Sequence, residues 1–292
     1  MRTPDSPSRP RSSARAALVV AHPGHELTLT GWLEMARPTV FVITDGSGQL
    51  GRSRLHSTTK VLLKTGARPG SLYGHFSDRE VYEAMLRGEA GLFLRMALEL
   101  ADWIALTNVD YVVGDSAEGY NPMHDMCRII VGVAVEIASR RRRPVDNYEY
   151  VVTGPRDDCG ARRCRGTIRL RLDDDALGRK IEMALAYPEL SGEVAAAVRK
   201  DGMEGFRHEC LHPIDNRASW TPVGEGKPFY EEHGEARVAS GKYLRPVRYA
   251  EHIVPLRAAL WEAIDRRIGA PAASNDAEPS SLQPVGSDVR PA

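Results

Sequence analysis

A run of six apolar residues, Ala16 to Ala21, most strongly constrains how this chain can fold. A strand that is apolar at every position is buried on both faces, which is typical of a parallel sheet covered by helices. A second such run covers Thr39 to Thr44 and a third covers Tyr111 to Gly114, with helical periodicity between them. Strands separated by helices predict a doubly wound, mostly parallel α/β sheet with helices on both faces.

The remainder of the chain supplies further helices and a few alternating segments. Asn121 is a favourable N-cap and Pro122 a favourable first residue, so a helix is predicted to begin there and to end before Pro144. The segment from Pro188 to Pro246 has mixed, loop-rich signals. Periodicity predicts other helices over 29–36, 58–65, 91–106, 173–187 and 248–268, the last kinked at Pro255, and strands over 148–152 and 168–172.

Composition limits the class of protein. The chain has 292 residues, 42% of them hydrophobic, so residues 16–270 can form a single α/β domain. The segments 1–15 and 271–292 are rich in Pro and Ser and are predicted to be disordered tails. The 39 basic and 39 acidic residues balance, which argues against a nucleic-acid coat protein or a polybasic membrane binder. The sequence shows no signal peptide, and no apolar run approaches the roughly 20 residues that a membrane span needs. We therefore expect a cytoplasmic protein.

The chain has four cysteines, Cys127, Cys159, Cys164 and Cys210, too few for a disulfide framework at this length. We interpret them as free thiols in a reducing cytosol. Cys159 and Cys164 could alternatively pair or bind a metal, although no second pair with matching spacing accompanies them.

A histidine-rich turn, His22-Pro23-Gly24-His25-Glu26, follows the first apolar strand. His124 falls in the first turn of the helix that begins at Pro122. Because reactive groups of such sheets gather at the carboxyl ends of the strands, His22, His25 and His124 can converge. Three histidines with a water complete a zinc shell of the catalytic type. The alternative is that they are ordinary polar residues, as we interpret the other histidines, including those of the ligand-rich segment 208–212.

Four short motifs resemble, in order, those of the PIG-L/LmbE-like deacetylase family. That family reads His-Pro-Asp-Asp-Glu where this chain has His22 to Glu26, and Thr-Asp-Gly where it has Thr44 to Gly46. It commonly has His-Pro-Asp-His where Asn121 to His124 stands, and a late lysine-to-tyrosine helix similar to Lys180 to Tyr187. The resemblance covers roughly residues 16–190.

The resemblance implies a Rossmann-like fold, a zinc site of two histidines and an aspartate, and removal of acyl groups, often acetyl, from amino sugars and related small molecules. His22 and His124 match the two histidine ligands, and His25 takes the place of the aspartate. Both residue types bind zinc, although a neutral imidazole leaves the site one negative charge short. The expected cofactor is therefore Zn²⁺, and the expected partner is a small-molecule substrate rather than nucleic acid or a membrane.

Two departures from the family affect acid–base chemistry. The family's general base is an aspartate where this chain has Gly24, and a histidine that assists the intermediate is replaced by Asn121. Asn121 could donate a hydrogen bond to an oxyanion. Asp45, Asp115 and Glu118 follow strand ends and could accept a proton in place of the missing base, although each is also a plausible turn or capping residue.

Other residues near the motifs suit supporting roles. Glu26 and Asp125 are expected to hold the loop or a ligand histidine. Arg52 and Arg54 lie in a glycine-rich loop that suits an anionic or hydroxylated substrate, or is simply solvated. The stretch from Phe229 to Tyr243 could form a lid over the pocket.

The sequence therefore predicts a zinc-dependent, N-deacetylase-like hydrolase that acts on the N-acyl bond of a small polar, sugar-like metabolite. Gly24 at the position of the base leaves an alternative open. In that alternative, the chain is a metal-containing relative that binds such a metabolite without hydrolysing it.

Overall fold

The computed structural model describes residues 14–48, 51–153, 165–217 and 226–269. Its strands are β1 Ala16–Val20, β2 Thr39–Thr44, β3 Arg68–Phe76, β4 Tyr111–Asp115, β5 Asp146–Tyr150, β6 Ile168–Arg171 and β7 His208–Pro213. They form one seven-stranded sheet in the order β3-β2-β1-β4-β5-β7-β6. The predicted tail 271–292 and residues 1–13 of the predicted tail 1–15 lie outside the described residues. The Arg15 backbone N–H donates to Asp110 Oδ2 at 2.7 Å.

Helices cover both faces of this sheet. The α-helices are α1 Thr30–Ala36, α2 Leu55–Thr65, α3 Asp78–Arg87, α4 Ala90–Thr107, α5 Pro122–Arg141, α6 Asp174–Leu185, α7 Ser191–Asp201, α8 Phe229–Ala239 and α9 Val254–Gly269. Ala17 and Val19 of β1 pack in a core with α3, α4, α5 and α9. Leu18 and Val20 pack in a second core with α1, α2 and α6. The predicted α/β fold with helices on both faces is confirmed.

The sheet is parallel around its centre, where strand order reverses. β1 pairs in parallel with β2 on one side and with β4 on the other. The pairs β2–β3 and β4–β5 are also parallel, whereas β7 runs antiparallel to β5 and β6. In open α/β sheets, ligands bind outside the carboxyl ends of the strands at such a reversal. The ends of β1 and β4 are therefore the expected place for a site.

Two strands were not predicted. β3 contains Pro69, Gly70 and Gly74, which are poor strand formers and are tolerated here because β3 lies at an edge of the sheet. β7 lies in the segment interpreted as loop-rich, as do α7 and α8. That interpretation is wrong for these elements. The pairing of β7 with β5 and β6 is non-local, so its short sequence carries little signal.

The predicted helix ends are mostly correct. α5 begins at Pro122, and the Asn121 side chain accepts a hydrogen bond from Met123 N–H at 2.8 Å. The last helix differs, since a π-helical turn at Tyr249–Ile253 precedes α9. This turn leads directly into α9, so Pro255 lies just after a change in the helical hydrogen-bond pattern, which accommodates its missing N–H.

The cysteines differ from expectation at one described position. Cys127 is a buried free thiol, but Cys210 on β7 is disulfide-bonded. The interpretation as free thiols is therefore wrong for Cys210. Cys159 and Cys164 lie outside the described residues. Because disulfides persist mainly in oxidising compartments, the bond at Cys210 gives no support to the predicted cytoplasmic location. In the described ranges, no helix has the length and apolar character to cross a bilayer.

Candidate functional site

Three histidines meet at the carboxyl ends of β1 and β4. His22 and His25 lie in the turn after β1, and His124 lies in the first turn of α5. The ring centroid of His22 lies 5.4 Å from that of His25 and 5.6 Å from that of His124, and the His25 and His124 centroids are 4.5 Å apart. Three imidazoles that bind one tetrahedral zinc ion through nitrogens at about 2.0–2.1 Å have centroids about 5 Å apart. The structure brings this histidine trio together at ligand spacing.

Two nitrogens of the trio lack partners. His22 Nε2 and His124 Nδ1 are buried and make no hydrogen bond. Leaving a buried polar group unsatisfied costs about 1–3 kcal/mol, so each such atom needs an explanation. Over the ranges that the structure describes, no three His, Cys, Asp or Glu side chains form a ready-made metal site. The trio therefore has the donors for an ion without being a finished ligand set.

Asp78, the first residue of α3, orients His22. The Asp78 Oδ1 atom lies 3.0 Å from His22 Nδ1, and Asp78 Oδ2 accepts a hydrogen bond from Gly48 N–H at 2.6 Å. The Thr44 hydroxyl, which donates to the Ala21 carbonyl, lies 2.8 Å from the same His22 nitrogen. Burial raises the pKa of Asp78, but its contact with His22 outweighs burial and holds that pKa well below its usual range. His22 Nδ1 is thus the donor, and Nε2 keeps its lone pair for the trio.

Sequence reasoning missed Asp78. The only sequence signal for Asp78 is its position two residues after Phe76, where β3 ends. β3 itself was not predicted, so Asp78 could not be placed at a strand end. The Ser77 hydroxyl and Glu80 carboxylate form a capping box that begins α3 there.

Asp115, at the end of β4, orients His25. Its Oδ2 atom lies 2.8 Å from His25 Nδ1 and accepts a hydrogen bond from Ala21 N–H at 2.8 Å. Its Oδ1 atom accepts from the Tyr150 hydroxyl at 2.8 Å. Burial raises the pKa of Asp115, but the adjacent His25 imidazole lowers it to about 2. The structure places this predicted proton acceptor behind His25, where it is fully buried.

Glu118 fixes the loop after β4 to the segment after β5. Its Oε1 atom accepts from Val152 N–H at 2.5 Å, and its Oε2 atom accepts from Thr153 N–H at 2.9 Å. The neighbouring Asp125 accepts from the N–H groups of Glu118 at 3.1 Å and Gly119 at 3.2 Å. Burial raises the pKa of Asp125 to about 7. Asp125 thus supports this loop, as expected of a second layer around the site.

Asn121 and Asp45 have local hydrogen bonds. Asn121 Oδ1 accepts from Met123 N–H at 2.8 Å and from the Tyr82 hydroxyl at 2.9 Å. This arrangement fixes the orientation of the amide, whose NH₂ group can then donate to a ligand. Asp45 Oδ1 accepts from Ser47 N–H at 2.9 Å in the turn after β2.

Gly24 lies in the turn after β1, where the backbone conformation favours glycine. Its φ angle is +105°, and a Cβ atom there would lie 2.5 Å from Leu190 Cδ1. Gly24 N–H donates to Glu26 Oε2 at 2.7 Å. Burial raises the pKa of the fully buried Glu26. Glu26 therefore holds this turn, in the supporting role that the sequence suggested.

The two predicted substrate arginines differ. Arg54 Nε donates to the Gly46 carbonyl at 2.7 Å, so its guanidinium stabilises the loop after β2. Arg52 is exposed at the surface of the same loop.

A buried ion pair, Lys180 and Glu209, lies at the N-terminus of α1. Lys180 Nζ donates to Glu209 Oε1 at 2.8 Å and to the Thr28 carbonyl at 2.7 Å. Glu209 also accepts from Gly31 N–H at 3.0 Å and Trp32 N–H at 2.7 Å, which satisfies the N-terminus of α1. Lys180 of the late lysine-to-tyrosine helix and Glu209 of the ligand-rich 208–212 segment thus form one structural pair.

No protein-family model matches the chain, and no curated protein matches it. Some solved structures are similar. The conserved protein TT1542 from Thermus thermophilus is 15% identical with a TM-score of 0.45, covering 73% of this chain and 100% of its own. A triple mutant of a deacetylase of the teicoplanin biosynthetic pathway is 14% identical with a TM-score of 0.44. The match covers 70% of this chain and 100% of the deacetylase chain. The zinc-inhibited form of teicoplanin deacetylase Orf2 is 14% identical with a TM-score of 0.40. The match again covers 70% of this chain and 100% of the other chain.

Proposed function

We propose that this chain is a zinc-dependent hydrolase that cleaves the N-acyl bond of a small polar, sugar-like metabolite. The observation that carries the proposal is the pair of buried, unpartnered nitrogens, His22 Nε2 and His124 Nδ1, beside the His25 ring. The donor set fits zinc, since all three side chains are imidazoles at ligand spacing. The ordered motifs that resemble the PIG-L/LmbE-like family suggest the reaction class. His22, His25 and His124 would hold the ion.

The two carboxylates behind the trio prepare it for a cation. When bound, zinc would supply a Lewis acid that activates water and polarises the acyl carbonyl. Asp78 and Asp115 each engage the Nδ1 atom of one histidine, His22 and His25 respectively, so that both rings present Nε2 toward the ligand. Such outer carboxylates fix ring orientation and raise the basicity of the ligand nitrogen.

Two further residues would handle the oxyanion and the proton. The Asn121 NH₂ group would donate to the oxyanion that forms from the acyl carbonyl, because the Asn121 oxygen is already engaged. Asp45 would accept the proton from water. We prefer it to Asp115 and Glu118, because both oxygens of each of those carboxylates already accept hydrogen bonds. Asp45 also directly follows Thr44, whose hydroxyl contacts His22.

The test is hydrolysis by the zinc-loaded full-length protein across a panel of N-acyl amino sugars, with the released amine quantified. We expect turnover by the wild type and its loss in His124→Ala. Asp45→Asn should lower kcat by about 100-fold or more, as for loss of a general base. Asp102→Asn, on the exposed surface of α4, is the matched control and should retain wild-type turnover.

Two outcomes would contradict parts of the proposal. A zinc-loaded wild type without turnover on any substrate of the panel would contradict hydrolysis. If that protein still binds members of the panel, the alternative function would apply, in which the protein binds such a metabolite without hydrolysing it. Full turnover by Asp45→Asn would contradict only the assignment of the proton acceptor.

A further inference from the structure

A row of aromatic rings leads from the trio toward solvent. The Tyr120 ring centroid lies 6.4 Å from that of His124, and Phe229 stacks on Tyr120 at 5.0 Å with an interplanar angle of 5°. His233 follows, with its ring 5.8 Å from Phe229. Tyr120 remains 48% exposed and Phe229 50% exposed. Exposed apolar surface beside a candidate site is a common mark of ligand binding.

The residues on either side of Phe229 hold it in this position. Tyr230 is buried, and its backbone N–H donates to the Gly119 carbonyl at 3.4 Å. Burial raises the pKa of the Tyr230 hydroxyl, and the neighbouring Asp125 carboxylate raises it further. Pro228 lies beside Gly119, where an added Cβ would be 3.4 Å from Pro228 Cβ. Phe229 is therefore the outward-facing residue of an anchored segment at the start of α8.

We propose that Tyr120 and Phe229 form a subsite for an apolar acyl chain on the substrate, which would be an N-acyl compound with a chain longer than acetyl. The inference rests on the proposed function, because the row starts at His124, beside the bond to be cleaved. Tyr120 and Phe229 each cover one face of the other and remain about half exposed, so together they present an apolar surface that begins beside His124. An extended hydrocarbon chain can lie along such a surface and is stabilised by each methylene that it buries there. The predicted lid at Phe229 would thus act as a specificity element.

The test measures binding without turnover. Full-length protein stripped of metal is titrated calorimetrically with N-octanoylglucosamine, below its micelle concentration, and with N-acetylglucosamine. We expect the octanoyl compound to bind about tenfold or more tightly, because each buried methylene contributes about 0.8 kcal/mol and two on the rings suffice. Phe229→Ala should remove most of this preference, and Phe229→Leu should retain part of it. Leu106→Ala, which truncates a 73% exposed side chain at the end of α4, should leave the preference unchanged.

Any of three results would overturn the subsite. These are no binding of the octanoyl compound to wild type, equal affinity for the two compounds, or an undiminished preference in Phe229→Ala. Because the protein is metal-free, these results do not depend on hydrolysis. An octanoyl preference in a protein that never turns over would support the subsite and contradict only the proposed reaction.

Discussion

The histidine trio and the Lys180–Glu209 pair are both polar clusters inside the protein, but they differ in how fully their atoms are bonded. Both Glu209 oxygens accept backbone N–H groups of α1, and Lys180 donates to Glu209 and to the Thr28 carbonyl. The trio is equally buried at His22 and His124, yet one nitrogen of each remains without a partner. Each charged atom of the Lys180–Glu209 pair thus has a hydrogen-bond partner, whereas His22 Nε2 and His124 Nδ1 of the trio have none.

This difference separates a structural role from a binding role. A buried polar cluster with every atom bonded stabilises the fold, and its members need nothing further. Buried atoms left open in a cluster supported by two carboxylates suit a ligand that supplies the missing bonds. Substitutions in the pair should therefore change stability, and substitutions around the trio should change metal binding.

The largest effect is expected at the ion pair. Lys180→Met leaves Glu209 buried without its cation and should lower the free energy of unfolding by about 3–5 kcal/mol. Urea unfolding measures this loss, and zinc affinity of the folded variant should stay near that of the wild type. Arg179→Met is the control, because its contact with Glu34 at 2.8 Å is half-exposed and should contribute only about 0–1 kcal/mol. Equal losses in the two variants would contradict the stabilising role given to the Lys180–Glu209 pair.

A smaller effect is expected at Asp78. Asp78→Ala removes the acceptor of His22 Nδ1 and should weaken zinc binding by about 10–100-fold, with folding retained. Competition titration with a zinc chelator measures the affinity. Asp102→Ala removes a carboxylate that is paired with Arg141 at the surface, and this variant should bind zinc like the wild type. Unchanged affinity in Asp78→Ala would mean that Asp78 does not position the trio.

The smallest effect is expected at Gly24. Gly24→Ala places a Cβ at a φ of +105° and 2.5 Å from Leu190 Cδ1, and should destabilise the protein by about 1–3 kcal/mol. Gly178→Ala in α6 is the control, since a Cβ there meets nothing within 4 Å and should be neutral or slightly stabilising. Thermal unfolding compares them. A Gly24→Ala variant as stable as Gly178→Ala would show that the turn does not require glycine.

The central sheet could be predicted because its strands are continuous apolar runs. Thr39–Thr44 was predicted with its observed bounds, and the helix at Pro122 was predicted from its N-cap. These signals also placed His22, His25 and His124 at neighbouring strand ends, which is why their proximity could be foreseen. Strand-end position and helix capping are local properties that one sequence carries.

The supporting residues could not be predicted, because their roles depend on distant parts of the chain. Asp78 contacts His22 because it follows β3, an edge strand whose glycines and proline hide it from sequence-based prediction. Glu209 meets α1 through β7, which pairs non-locally. Asp115 was correctly placed at a strand end, but only the fold reveals that the Tyr150 hydroxyl and Ala21 N–H occupy its oxygens. Hydrogen bonds between distant segments leave no periodic pattern in the sequence.

The most direct test of the trio is the metal content of the purified full-length protein, measured by elemental mass spectrometry after reconstitution with zinc. Wild type should hold about one zinc ion per chain, as expected for a single three-histidine site. His22→Ala, His25→Ala and His124→Ala should each lose it, whereas His56→Ala, an exposed histidine on α2, should retain it. Zinc absent from wild type, or retained by all three trio variants, would contradict a metal site at the ends of β1 and β4.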